Sequence, residues 1–129
     1  MKTTFKNFRI SSSDPVYASC PWDSRNHNRY NITVTNTDNG KRTRFPFYTS
    51  IAKPDITEEK ELLEAFDCFI SDCYSGFMDF REFCNEFGYD EDSRKAFKVW
   101  RACVASCARF QRIGGDVNDL DDLRCELDA

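Results

Sequence analysis

Residues 30–48 read Tyr30-Asn31-Ile32-Thr33-Val34-Thr35-Asn36, then Thr37-Asp38-Asn39-Gly40, then Lys41-Arg42-Thr43-Arg44-Phe45-Pro46-Phe47-Tyr48. Tyr30, Ile32 and Val34 alternate with Asn31, Thr33 and Thr35, the period of two that sends neighbouring side chains to opposite faces of a strand. Asn39-Gly40 supplies the positive φ angles that a tight turn between strands needs. The chain then returns as a partner strand with Phe45 and Phe47 on one face. Pro46 has no N–H to give to a ladder, which confines that strand to an edge. A hairpin over residues 29–49 is therefore the anchor of the β portion.

Toward the amino terminus the pattern weakens. Residues 4–10 are short, mixed and aromatic, consistent with one further strand, and Ser11-Ser12-Ser13-Asp14-Pro15 breaks it. Ser19 to Asn28 is polar and includes Pro21, Asp23, Ser24, Asn26 and His27, which reads as loop. Residues 1–28 are accordingly expected to be a loop-rich segment.

From Pro54 onward the period becomes helical. Asp55 followed by Glu58 has the spacing of a capping box. Leu62, Leu63, Phe66, Phe69, Ile70 and Cys73 gather on one face, with Ser75-Gly76 as the stop. A short second helix begins at Asp79, with Phe80, Phe83 and Phe87 on one face and Gly88 where a left-handed C-terminal cap belongs. A third runs from near Asp90 to about Ile113 and halts at Gly114-Gly115. Residues 114–129 form an acidic tail in which Leu120, Leu123 and Leu127 are spaced for a weak amphipathic turn or two. Strands first and helices afterwards, without alternation, argue for one α+β domain over residues 1–129: an N-terminal antiparallel hairpin or small sheet followed by three helices over 55–113.

A chain of 129 residues buries enough surface to fold without disulfides or metal. No apolar run reaches the length of a membrane span, and Met1-Lys2-Thr3-Thr4-Phe5-Lys6 leads into no apolar stretch of the secretory kind. The seven cysteines are odd in number and contain no Cys-x-x-Cys. Cys68, Cys73, Cys103 and Cys107 fall within helical patterns, where Cys serves as a small buried hydrophobe. Reduced thiols in a cytoplasmic setting are the simpler expectation.

Charge is strongly segregated along the chain. Residues 1–50 carry eight Lys and Arg against Asp14, Asp23 and Asp38, a net +5. Residues 55–92 carry thirteen acids against Lys60 and Arg81, a net −11, and residues 93–112 carry six bases and no acid. The tail from Gly114 is again acidic. At about 100° per residue, Arg94, Lys98, Arg101, Arg109 and Arg112 fall within roughly a quarter of the third helix's circumference, with Ala96, Phe97, Val99, Trp100, Cys103, Val104, Cys107 and Phe110 covering the other side. Such a stripe can pair with neighbouring acids in surface ion pairs of small value. It can contact phosphates, or meet an acidic protein partner. The acids Glu58, Glu61 and Glu64 of the first helix permit the mirror image, a surface that imitates nucleic-acid phosphates. Both sets are candidate partner-binding residues.

Catalytic chemistry finds little support. His27, the sole histidine, has Cys20 seven residues before it, but no third group is placed to orient a nucleophile pair. One His and helical cysteines do not make a zinc set. Asp90-Glu91-Asp92-Ser93 lacks the alternating ligands, central Gly and closing Glu of a calcium loop. The expectation is a protein that is not an enzyme, with no cofactor and no metal.

Phe80-x-x-Phe83-Cys84-x-x-Phe87-Gly88-Tyr89-Asp90-Glu91-Asp92-Ser93-Arg94-Lys95-Ala96 resembles a signature of small proteins of tailed phages and prophages. The strand Tyr30 to Asn36, the turn Asn39-Gly40-Lys41, the stretch Phe45 to Tyr48 and the helix around Cys68 to Asp72 are similar to segments of the same proteins, so the likeness spans roughly residues 30 to 112. It carries no settled biochemistry. In kind, a small acidic phage protein is similar to inhibitors of host defence, anti-CRISPR proteins among them. The resemblance implies a protein acting in the host bacterial cytoplasm on a host protein or ribonucleoprotein complex, with no membrane partner. The alternative is a phage accessory protein that binds nucleic acid through the third helix. At the signature itself, Arg94 is expected to pair back to Asp90 at helical spacing.

Overall fold

The computed structural model describes residues 1–19, 25–73, 78–116 and 118–128. The expected helix stop at Ser75-Gly76, and Cys20 as a partner for His27, lie outside the described residues. In order come β1 (Lys2–Phe5), β2 (Phe8–Ser12), β3 (Val16–Ser19), β4 (Asn26–Asn36), β5 (Arg42–Tyr48), α1 (Glu59–Cys73), α2 (Phe80–Phe87), α3 (Arg94–Arg112) and α4 (Asp119–Leu127). The fold is α+β, with a five-stranded antiparallel sheet and four helices where the sequence suggested three.

β4 is the spine of the sheet. Its alternation holds as read: Tyr30, Ile32, Val34 and Asn36 are buried while Asn31, Thr33 and Thr35 face outward. One edge pairs with β5 in register Thr35↔Arg42 through Arg29↔Tyr48. The other edge pairs first with β2 (Ile10↔Val34) and then with β3 (Val16↔Arg29). β2 and β3 thus form one edge interrupted at Ser13-Asp14-Pro15, where Pro15 cannot extend the ladder. β5 pairs only with β4, as Pro46 requires of an edge strand.

Three features of the amino-terminal half differ from the sequence expectation. Residues 4–10 are two strands, with Phe5↔Phe8 closing a two-residue turn and Lys6 at φ +51°, a conformation without glycine's help. The turn is fixed from outside: Lys6 Nζ reaches Asp119 at 2.8 Å and Asp122 at 2.5 Å on α4, and Asn7 Nδ2 donates to Asn36 Oδ1. β3 occupies part of the segment assigned to loop, and β4 begins at Asn26, so His27 is a strand residue with Nδ1 2.7 Å from Thr49 O. In the β4–β5 turn only Gly40 takes positive φ. Asn39 instead spends its side chain as a clamp, accepting from Lys41 N and donating to Ile113 O.

The helices bear out their apolar faces more closely than their starts. All six residues expected on the inner face of α1 are buried. Asp55 does not cap α1, which begins at Glu59; the Asp55 carboxylate takes an N–H from Asn28 instead. Asp79 caps α2 by accepting from Glu82 N at 2.9 Å, and Gly88 closes it at φ +73°. Ser93, not Asp90, caps α3, its hydroxyl accepting from Ala96 N. Arg94 is consequently the first residue of α3, and no Arg94–Asp90 ion pair is found among the described residues. The acidic tail is a true helix: Leu120 and Leu123 of α4 are buried against α1, and Arg124 Nε meets Asp67 Oδ2 at 3.2 Å.

Sheet and helices form two layers. α1 lies on β1 and β2, α3 on β5, α4 on α1, and α2 on the first half of α3. Between the layers Phe5, Phe8, Phe45, Phe66, Phe69 and Phe110 make one aromatic core, with Phe45 stacked on Phe69 at 4.2 Å between centroids. A satellite cluster of Phe83, Cys84 and Ala96, with Phe80, Phe87, Tyr89 and Trp100 around it, joins α2 to α3. Directly after α3 the chain doubles back under Phe110, where a Cβ on Gly115 would lie 2.5–2.6 Å from three ring carbons. Gly115→Ala is therefore expected to lower the unfolding free energy by about 1–3 kcal/mol, the range for overpacking a filled site. Urea unfolding measures it, and an unchanged midpoint would mean that the ring yields without resistance.

Candidate functional site

α3 runs without a Gly or Pro to interrupt it between the Ser93 cap and Gly114, whose φ is +99°. Ala96, Ser106, Cys107 and Phe110 are its buried residues. They lie opposite Arg94, Lys98, Arg101, Arg109 and Arg112, all five of which are exposed and point away from the core. The ion pairs seen in the described residues join Lys6, Lys53, Arg81 and Arg124 to acids elsewhere. None of the five stripe cations takes part in one. Arg109 donates to Ser106 Oγ at 3.2 Å, and the Arg101 guanidinium lies 5.8 Å from the Phe97 ring centroid. Pairing with the acidic first and second helices is thus not what occupies this stripe.

Phe97, which helical spacing assigns to the apolar side, is instead 41% exposed. Its ring packs edge-on to Phe80 at 5.3 Å and against Trp100 at 5.7 Å, and Trp100 Nε1 is anchored on Met78 O. A rigid aromatic ring thus rises among Arg94, Lys98 and Arg101. Helical arithmetic contained this signal, since Phe97 falls only about 40° from Arg101 around the axis.

The acidic candidates separate. Glu58 and Glu64 are exposed, whereas Glu61 is buried, its Oε1 accepting from Thr57 Oγ1 at 3.2 Å and lying 3.3 Å from Lys53 Nζ. Glu61 therefore anchors the start of α1 and does not stand in a displayed row.

A cleft of about 370 Å³ opens between β5, α1 and α3, walled by Phe45, Phe47, Phe69, Val99, Ala102 and Cys103. Asp72 of α1 also lines the cleft; although the residue as a whole is exposed, desolvation of its carboxyl against the apolar walls pushes it up to about 6. Burial likewise lifts Cys103 to about 11. Cys73 Sγ donates to Cys107 Sγ at 2.7 Å, which raises the first thiol's pKa and lowers the second's. Cys68, expected to be a buried hydrophobe, is exposed. Among the described residues no cluster of His, Cys, Asp and Glu is placed to hold a metal ion, and no helix is long and apolar enough to cross a membrane.

Asp72 makes a pH prediction. Its folded pKa lies above the unfolded value of about 3.9, so the native state holds the proton more tightly. Stability from this group is greatest below pH 4, falls as pH rises toward 6, and is level above. Asp72→Asn removes that slope and stabilises the protein at pH 7. Water at this exposed residue screens the penalty, so the gain is at most about 1 kcal/mol. Melting temperatures of both proteins across about pH 4–8 test it; parallel curves would show that the carboxyl is not buried in any effective sense.

Compared with protein-family models, curated proteins and solved structures, the chain finds no match.

Proposed function

We propose that this chain is a phage-encoded binding protein without catalytic chemistry, acting in the bacterial cytoplasm by docking α3 onto an acidic surface of a host defence or nucleic-acid-handling complex. One observation carries the proposal: five exposed cations stand in line on a rigid helix without an intramolecular ion pair among the described residues. The phage setting rests on the signature that ends in Arg94-Lys95-Ala96. Cations held in place by a packed helix speed encounter with an oppositely charged surface and select against like-charged ones. Phe97 adds an apolar contact among them, in keeping with the aromatic and Arg content of interface centres. Mimicry of nucleic acid by α1 is less well supported, because Glu61 is withdrawn from the row that Glu58 and Glu64 would need.

Affinity capture from bacterial lysate tests the proposal. With the chain as bait, a host protein with an acidic surface is retained at low salt and released as salt rises. Recovery of no host protein, or only of phage virion proteins, contradicts it. A salt-sensitive gel shift with nucleic acid that disappears when the α3 cations are neutralised would favour the rival, an accessory nucleic-acid-binding protein using α3.

A further inference from the structure

The helices leave one face of the sheet open. α1 and α3 pack on the side that carries Phe5, Phe8, Ile10, Ile32, Val34 and Phe45, so the alternate residues face away from the helical layer. Register places these outward residues in rows. One row runs Thr4, Arg9, Thr35, Arg42, and the next Lys2, Ser11, Thr33, Arg44. Lys2, Arg9, Arg42 and Arg44 are exposed, and none of them forms an ion pair in the described residues. A solvated sheet face is polar in many proteins, but a soluble surface ordinarily mixes both signs. Here, in a chain with 22 acids against 18 Lys and Arg, none of the five strands contains an Asp or Glu. Asp14 and Asp38 fall in the turns at the strand ends.

We infer that this open face binds the phosphate backbone of a nucleic-acid duplex. Arg42 and Arg44, two residues apart on one strand, are about 6.8 Å apart, and Arg9 and Arg42, on either side of Thr35, about 9.6 Å. The first spacing suits consecutive phosphates along a nucleic-acid strand. Thr33, Thr35 and Ser11 between them supply hydroxyl donors of the kind that also contact phosphate oxygens. The two rows themselves carry no aromatic ring, and Tyr48, which by register falls on the same face, lies four residues beyond Arg44, so the cations have no adjacent platform on which an unpaired base could stack. A duplex keeps its bases stacked on one another and presents only its backbone, which is what this face can hold. The surface is distinct from the α3 stripe, which points away from the core on the helical side, so duplex binding here does not depend on the role proposed for α3.

Fluorescence anisotropy with a labelled, mixed-sequence DNA duplex tests it, with one strand of that duplex as the second probe. The intact chain is expected to bind the duplex in the micromolar range at about 50 mM salt, and the single strand more weakly. Replacing Arg9, Arg42 and Arg44 together by Gln should weaken duplex binding at least about tenfold. The same replacement should flatten the plot of log K against log salt by about 2.7, roughly 0.9 for each phosphate that is no longer neutralised. Thr35→Glu, which sets one acid between Arg9 and Arg42, should weaken binding in the same way without touching any arginine. The α3 substitutions Arg94→Gln, Lys98→Gln and Arg101→Gln should leave duplex binding within about threefold, because these cations lie on the helical side of the molecule and not on this face. No duplex binding by the intact chain, an unchanged salt slope in the sheet variants, single-strand binding as tight as duplex binding, or a weakening that follows the α3 substitutions would each overturn the inference.

Discussion

Phe110→Ala is expected to reduce the unfolding free energy by about 3–5 kcal/mol, the range for deleting a fully buried aromatic side chain. Phe110 is fully buried, with its ring centroid 5.8 Å from Phe8, 5.8 Å from Phe66 and 5.5 Å from Phe69. It packs α3 against the sheet through Phe8 and against α1 through Phe66 and Phe69, and Gly115 leaves no slack on its far side. Truncation therefore opens a cavity at the meeting point of three elements that cannot readily collapse. Domains of this size are stable by about 5–15 kcal/mol, so the decrease is a large fraction of the whole. Urea unfolding should show a lowered midpoint with an unchanged slope. A decrease below about 1 kcal/mol would mean that α3 is not seated on the sheet at this residue.

Neutralising Arg94, Lys98 and Arg101 with Gln is expected to leave the melting temperature where it is and slow association with the captured partner by about tenfold or more at low ionic strength. The two halves of that expectation have separate grounds. These cations make no ion pair in the described residues; Arg101 gives up its contact with the Phe97 ring, worth about 0.5–1 kcal/mol at an exposed site, and relief of the like-charge crowding along the helix face offsets it. A partner, by contrast, loses three fixed charges from the surface that steers it. The difference between intact and substituted chains should shrink as salt rises, because exposed charges are screened beyond about 10 Å at 0.1 M.

Much of the helical layer was legible because its signals are local. The faces of α1 and α3, the Asp79 cap and the Gly88 stop each depend on residues within a turn or two of one another. The β4–β5 hairpin was legible for the same reason. What could not be read depends on distant partners. Lys6 adopts positive φ in a turn secured by Asp119 and Asp122, more than a hundred residues away, and nothing near Lys6 announces it. β3 is legible only once β4 is known to be long enough to pair on both sides of Pro15. α4 has three leucines, few for an independent helix, and becomes one because α1 offers a face to receive Leu120 and Leu123.

The candidate site divides in the same way. Helical spacing put Arg94, Lys98, Arg101, Arg109 and Arg112 in one stripe, and that stripe is present. Whether its cations were already paired was a tertiary question, and acids elsewhere turn out to serve Lys6, Lys53, Arg81 and Arg124. Glu61 looked like its neighbours in sequence but is buried by the approach of residues 53–57, which periodicity cannot foresee. Nor could periodicity foresee the cleft holding Asp72, whose walls come from β5, α1 and α3.

The most direct measurement is affinity capture from one bacterial lysate with two baits side by side, the intact chain and the chain with Arg94, Lys98 and Arg101 replaced by Gln, each verified to melt at the same temperature. A recognition surface on α3 predicts that a host protein retained by the intact bait at low salt is depleted or absent on the substituted one. Equal recovery of that protein on both baits would contradict it and place recognition elsewhere on the molecule.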